Sequence, residues 1–454
     1  MQRSVGGDTV FAATRGALAP SPMPGAPEAL YGKLRPGPGR RTSEVSEHQG
    51  GRIHRAMIEM VADRGYDAVK VRDVVQLAGV STRAFYRLFD SKEDCFLRTH
   101  ELIVRRAARG IIVSQAGEHG WQERLILVCD AFENILMSEP DAVCLAAVDA
   151  YAAGPAALEQ ARRAQSTIEA MVSETFARSP GGIAMPQLVV EGIVASAVRV
   201  LRTRFIDGRD RELPGLVGQL KDWVLSYPGK GVADLPELDS RPASAKLTSQ
   251  SPPVSPVPVD DDRAVILAAV AKLAADDGYG SLTIPRIRAK AGVSRRKFNA
   301  NFEGVEDCFL AAVEERADEA LRQAGRAQIC GRTWAGGIYR AIATLADRVA
   351  DDPILTSVCD GNDFLPGSSG ARCRKRLMGA VTGQLLDSVP TANLPSDLTM
   401  EASTGAAWEL FHRYIVRASL QQRPHVSATL SYMALAPLVG PSAAVAAMRR
   451  EQTA

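Results

Sequence analysis

VRDVVQLAGVSTRAFYRLFDSKEDCFL, residues 71–97, is the stretch from which the rest of the chain can be read. Val71, Val74, Val75 and Ala78 recur at helical spacing and predict a short helix with one buried face. Gly79 comes next, at a turn calling for a positive φ that a residue with a Cβ resists. Ser81 stands where an N-cap belongs, its hydroxyl able to accept from the unpaired N–H groups that open a helix. The helix it would open, 82–89, turns Phe85 and Phe89 to one face and leaves Thr82, Arg83, Tyr86 and Arg87 for the other. Ser91 with Asp94 three residues on is a capping pattern for another helix, expected from about Lys92 to Ile112.

Helix, glycine turn and a second helix bearing cations is the plan of a helix-turn-helix DNA reader, although such turns also serve as plain packing devices. The longer string AGVSTRAFYRLFDSKEDCF resembles the signature of TetR-type transcriptional repressors, in which A-G-V-S-x-x-x-[LF]-Y-x-x-F-x-S-K-E runs recur. The resemblance implies a three-helix DNA-reading head on a larger helical body that senses a ligand and dimerises. The last two body helices would pair with their counterparts as a four-helix bundle. It also implies that Tyr86 touches a backbone phosphate and that Lys92, at the start of the fourth helix, does the same. Thr82 and Arg83 are the expected base readers, with Arg87 beside them; Gly79, Ser81, Phe85 and Phe89 are expected to hold the motif together.

Around this stretch the pattern stays helical. Ile53, Ala56, Met57, Met60 and Val61 mark an amphipathic helix over about Glu47 to Arg64, ended by Gly65. Beyond Gly120, Leu125, Val128, Phe132 and Leu136 make one face of a helix expected to stop before Pro140; further helices are expected at Asp141–Ala150, Pro155–Arg178, Pro186–Ile206 and Glu212–Ser226, and no strand alternation competes with them. Residues 1–45, rich in Gly, Pro, Ala and Ser, are expected to be a disordered tail. Its end carries Lys33, Arg35, Arg40 and Arg41, either an arm along DNA or simply solvated charge. Residues 229–260, dense in Pro and Ser, read as a semi-rigid linker.

The chain beyond this linker repeats the chain before it. Adding 213 turns Gly65-Tyr66 into Gly278-Tyr279 and Ala78-Gly79-Val80-Ser81 into Ala291-Gly292-Val293-Ser294. The same offset turns Phe85 into Phe298, and Glu93-Asp94-Cys95-Phe96-Leu97 into Glu306-Asp307-Cys308-Phe309-Leu310. The fold is therefore expected to be all-α, two tandem TetR-like units: a head at 46–112 with a body at 113–228, then a head at 261–325 with a body at 326–450. The second head departs from the signature. Tyr86 becomes Asn299, Arg87 becomes Ala300, Ser91 becomes Gly304 and Lys92 becomes Val305. In exchange it gains Arg295, Arg296 and Lys297 at the start of its recognition helix, on a motif kept by Gly292, Ser294 and Phe298. It is either a second DNA reader or a degenerate half retained for assembly.

The bulk composition fits that reading. A chain of 454 residues with 46% hydrophobic residues is long enough for several cores, and a net charge of +2 requires any DNA-binding charge to be local. Seven cysteines lie scattered with no CxxC pair and no metal-type spacing. No apolar run is of membrane-span length and no signal peptide is apparent, so no membrane partner and a cytoplasmic location are expected. His54, His100, His119 and His412 form no i, i+4 ligand pair. Cys95 and Cys308 read as one shared buried site, with a thiol sensor as the alternative. No nucleophilic triad, paired carboxylates or phosphate loop stands out, so no enzyme, metal or cofactor is expected.

The function expected is a DNA-binding transcriptional regulator: a repressor answering to a small-molecule effector and binding an imperfect palindromic operator in double-stranded DNA. A dimer of such heads spaces its recognition helices by roughly 34 Å, and a thirty-residue linker spans on the order of 30 Å, so one chain could pair with itself as a pseudo-dimer. A homodimer of chains is the alternative for self-association. A sensor or scaffold protein whose second copy serves only assembly is the alternative function.

Overall fold

A computed structural model describes residues 42–114, 119–177, 182–240, 261–352, 354–356, 395–416 and 426–453, with positions 117, 379, 382, 383 and 389. The expected tail up to residue 41, residues 241–260 of the expected linker and most of 357–394 lie outside the described residues. Among the described residues every regular element is helical.

The first repeat opens with α1 (Thr42–Arg64), α2 (Val71–Ala78), α3 (Thr82–Leu88) and α4 (Lys92–Ser114). Thr42 to Ser46, expected to be largely tail, already belong to α1. The body continues with α5 (Trp121–Ser138), α6 (Pro140–Cys144), a π-helical turn at Leu145–Asp149, α7 (Pro155–Ala177), α8 (Gln187–Ile206) and α9 (Leu216–Leu225). A short helix, α10 (Leu235–Ser240), comes after them. This corrects the linker boundary: 229–240 is not a loose spacer, because Val232, Leu235 and Leu238 are buried. Three buried apolar residues at i, i+3 and i+6 make a helical face that Pro236, in a first turn, does not disturb.

The second repeat has α11 (Asp262–Asp277), α12 (Ile284–Ala291), α13 (Arg295–Asn301), α14 (Val305–Ile329) and α15 (Trp334–Asp351). It closes with α16 (Asp397–Phe411), α17 (Ser427–Val439) and α18 (Pro441–Gln452). The chain divides into two compact units, one of residues 1–183 and 197–225, the other of 184–196 and 226–454. This division does not follow the repeat. The first half of α8, with α10, packs in the unit that contains the whole second repeat.

Within the first unit, head and body share one core. Ile53, Met57, Val74, Phe85, Phe89 and Phe96 of the head form a continuous cluster with Ala142, Leu145, Ala150, Ala157 and Ala161 of the body. A fully buried Phe such as Phe85 makes truncation to Ala cost about 3–5 kcal/mol. The second head reuses the plan: Tyr66 meets Phe96 edge-on with ring centroids 4.8 Å apart, and Tyr279 meets Phe309 in the same way at 4.8 Å.

Within the second unit, first-repeat segments bond to second-repeat helices. Ser196 Oγ donates to the Ala402 carbonyl at 2.6 Å. The Glu191 carboxylate accepts from Arg413 at 2.9 Å and from the Tyr414 hydroxyl at 2.6 Å. Tyr227 donates to the Met433 carbonyl at 2.9 Å, and Tyr432 donates back to the Tyr227 carbonyl. Gly192 allows a close approach of helices: a Cβ there would lie 3.0 Å from Leu410 Cδ1 and 3.2 Å from Met433 Cε.

Candidate nucleic-acid interface

The reader of the first head is built by local chemistry. Gly79 takes the left-handed conformation at φ 60°, which ends α2 and turns the chain. Ser81 Oγ then accepts from the Ala84 N–H at 3.1 Å and starts α3. The second head repeats both devices, with Gly292 at φ 69° and Ser294 Oγ accepting from the Lys297 N–H at 3.2 Å. Phe85 and Phe298 are completely buried, which fixes the roll of each recognition helix about its axis. Phe89 and Phe302, each just past the end of its helix, complete that buried face.

The roll presents Thr82, Arg83, Tyr86 and Arg87 to solvent on α3. Tyr86 is 55% exposed, its ring leaning edge-on against Phe85 at 5.3 Å. Arg87 is tethered to α1 by a 2.7 Å bond to Gln49 Oε1. Lys92 is half-buried: its Nζ donates to the Tyr66 carbonyl at 3.1 Å and sits 4.0 Å from the Tyr66 ring centroid. That leaves an ammonium held at the edge of the head with two further protons to donate.

The helix after each reader is capped unequally. In the first head Ser91 Oγ accepts from the Asp94 N–H and Asp94 accepts from the Asp90 N–H, both at 3.0 Å. In the second, Asp307 keeps its bond from the Glu303 N–H at 3.0 Å, but Gly304 has no side chain to supply the other. On α13, Arg295, Arg296 and Lys297 are exposed, and Lys297 pairs with Asp262 of α11 at 2.8 Å. Sequence reasoning stopped at the recognition helix and missed α12. Lys290 there is exposed, Arg286 is tied to Asp277 at 2.5 Å, and Arg288 is half-buried where the first head has the buried Val75. Summing charge over both reader helices is the signal that would have found them.

Behind the first reader lies a polar seam. His54 on α1 bonds through Nδ1 to Thr99 Oγ1 on α4 at 2.8 Å. Burial, with Arg106 and Arg98 nearby, pushes the His54 imidazole down to about 4, so it is neutral at physiological pH. On α7, Gln160 donates to the Leu97 carbonyl at 2.8 Å and lies 3.2 Å from His100 Nδ1. The equivalents of His54, Thr99 and His100 in the second head are Leu267, Ala312 and Val313, which have no side-chain polar atoms. Burial raises the thiols of Cys95 and Cys308 to about 12, which leaves neither a thiolate nor access for a redox sensor.

In the second body a cleft lined by Trp334, Ile338, Met400, Thr404 and Leu435 holds about 280 Å³, counting space open to solvent. Among the described residues no group of His, Cys, Asp and Glu is placed to hold a metal, and no helix is long and apolar enough to cross a membrane.

A capped, cation-bearing helix set by a left-handed glycine on a three-helix core defines a helix-turn-helix protein. The profile of bacterial regulatory proteins, tetR family, matches residues 53–99 and again 266–312. The chain thus carries two TetR-like helix-turn-helix heads in tandem, which supports a DNA-binding transcriptional regulator. No curated protein matches the chain. Among solved structures it is similar to the fatty acid degradation regulator FadR from Bacillus halodurans, at 16% identity. That match covers 42% of this chain and 97% of that one, with a TM-score of 0.35.

Proposed function

We propose that the protein is an effector-responsive repressor that binds an imperfect palindrome as an intramolecular pseudo-dimer. The observation that carries this reading is the set of bonds between repeats: Ser196 to Ala402, Glu191 to Arg413 and Tyr414, and Tyr227 to Met433. They join late segments of the first repeat to late helices of the second, the region that TetR-like subunits use to pair. The two partners are unequal. At an offset of 210 the counterparts of Arg413 and Tyr414 are Thr203 and Arg204, so a pair of two first repeats would lack the partners of Glu191.

Thr82, Arg83, Tyr86, Arg87 and Lys92 form the DNA-contacting set of the first head, and Arg295, Arg296 and Lys297 that of the second. Unlike heads read unlike half-sites. The effector binds in a helical body and favours a conformation whose heads no longer match the groove, a shift between pre-existing states. The continuous core from Phe85 to Ala161 is the route by which a body can move the first head.

Light scattering of the purified chain with a genomic duplex selected by binding tests the reading. One chain per duplex is the expected mass, and Arg83→Ala should weaken that complex about 5- to 150-fold, the equivalent of losing a bidentate base contact of about 1–3 kcal/mol. Two chains per duplex would refute the pseudo-dimer, and no salt-sensitive binding would refute the regulator.

A further inference from the structure

We infer that the second head is the electrostatic anchor on duplex DNA, with Lys290, Arg295 and Arg296 taking over the phosphate contacts assigned to Tyr86 and Lys92 in the first. This rests on the operator-binding reading above. Over residues 284–302 the second reader has six Lys and Arg and no acid; over the equivalent 71–89 the first has three and one acid. Losing the tyrosine and the lysine to Asn299 and Val305 therefore did not strip the head of charge.

The charge changed place. Of the six cations, Arg286 and Lys297 are engaged by Asp277 and Asp262, and Arg288 is half-buried. Lys290, Arg295 and Arg296 are exposed and flank the Gly292 turn, one near the end of α12 and two opening α13. In the first head the same positions hold Leu77, Thr82 and Arg83. The clamp has moved from the far end of the reader to its turn. The fully buried Phe298 keeps α13 in the same roll as α3, so these cations sit on a surface of the reader equivalent to that of the first head.

A patch of three exposed cations, with no acid along the reader helices themselves, fits a polyanion. On a helix-turn-helix scaffold that polyanion is a duplex backbone. Affinity that comes from releasing counterions falls with salt in proportion to the phosphates neutralised, at a slope of about −0.9 per contact. The second head should therefore set the salt dependence of the whole protein, and the first head should set more of its sequence preference.

The test is fluorescence anisotropy of the full chain on its selected duplex across a salt series. A Lys290→Ala, Arg295→Ala, Arg296→Ala variant should flatten the plot of log K against log salt by about one unit for each lost contact. A Tyr86→Phe, Lys92→Ala variant should flatten it less, and Arg322→Ala with Arg326→Ala, cations away from the reader, should leave it unchanged. All the removed side chains of the triple variant are exposed, so its melting temperature should match wild type and show that the head still folds. If the triple variant keeps wild-type slope and affinity while Arg83→Ala abolishes binding, the second head is idle: the inference falls and the operator-binding reading stands. If the wild-type chain selects no duplex, both fall.

Discussion

The carboxylate of Asp239, in the last helix of the first repeat, caps the penultimate helix of the second: it accepts from the Ala428 N–H at 2.7 Å. The same carboxylate also takes the Thr429 N–H and hydroxyl, all within a buried site. Its counterpart at an offset of 210 is Arg449, which pairs instead with Asp234. The cap is thus made once, in one direction. An Asp239→Ala chain leaves the donors at the start of α17 unpaired in a dry site. It should lose about 1–3 kcal/mol, read as a lower melting temperature by calorimetry, with Asp239→Asn losing less.

Gly192 stands where a helix of the first repeat comes close to Leu410 and Met433. Replacement by Leu adds volume to a contact that a single Cβ would already make tight. Overpacking of this kind costs about 1–3 kcal/mol. Gly192→Leu should lower the chemical-denaturation midpoint, and pairing it with Leu410→Ala should recover part of the loss. Equal losses for the single and double variants would mean that the two side chains do not meet.

His54 makes stability depend on pH. In the unfolded chain its imidazole binds a proton at about the ordinary 6.5, in the folded protein only near 4, so between these the unfolded state holds more protons. Stability then rises with pH across that window and is lost as pH falls through it. The His54→Leu variant takes the residue that the second head uses at Leu267. Its melting temperature should fall less than that of wild type as pH is lowered from 6.5 towards 4. Comparing the two chains at each pH cancels the carboxylates that titrate at the acid end.

The cysteines should separate by burial. Cys330 is exposed, whereas Cys95, Cys144 and Cys308 are buried. A neutral alkylating reagent applied to the native chain should modify Cys330 within minutes and leave Cys95 and Cys308 intact until the protein is unfolded, as peptide mass spectrometry would show. Rapid native labelling of Cys95 would mean that the first head opens far more readily than its core implies.

The reader was legible because its determinants are local: a glycine, a serine and a phenylalanine within seven residues fix turn, cap and roll. The duplication was legible because those determinants recur at one offset. Other features depend on residues far apart in the chain. Nothing near Glu191 foretells Arg413 or Tyr414, and nothing near Asp239 foretells Thr429. The helix at Leu235–Ser240 is too short to show a period of its own, and the proline beside it pointed towards a linker. Lys92 was expected as a phosphate contact from family likeness. Its bond to the Tyr66 carbonyl depends on how two ends of the head meet, which no local pattern encodes.

Asp239 and Thr429 lie on one polypeptide, and this changes the kinetics of their meeting. Two separate subunits find each other at a rate set by how many are in the cell, and dilution parts them. Tethered partners meet at a local concentration fixed by the tether, which for short flexible connections reaches about the millimolar range. The contact is then indifferent to expression level. A regulator present at a few molecules per cell would be as fully assembled as one at thousands, and its two unlike heads would always arrive in a ratio of one to one.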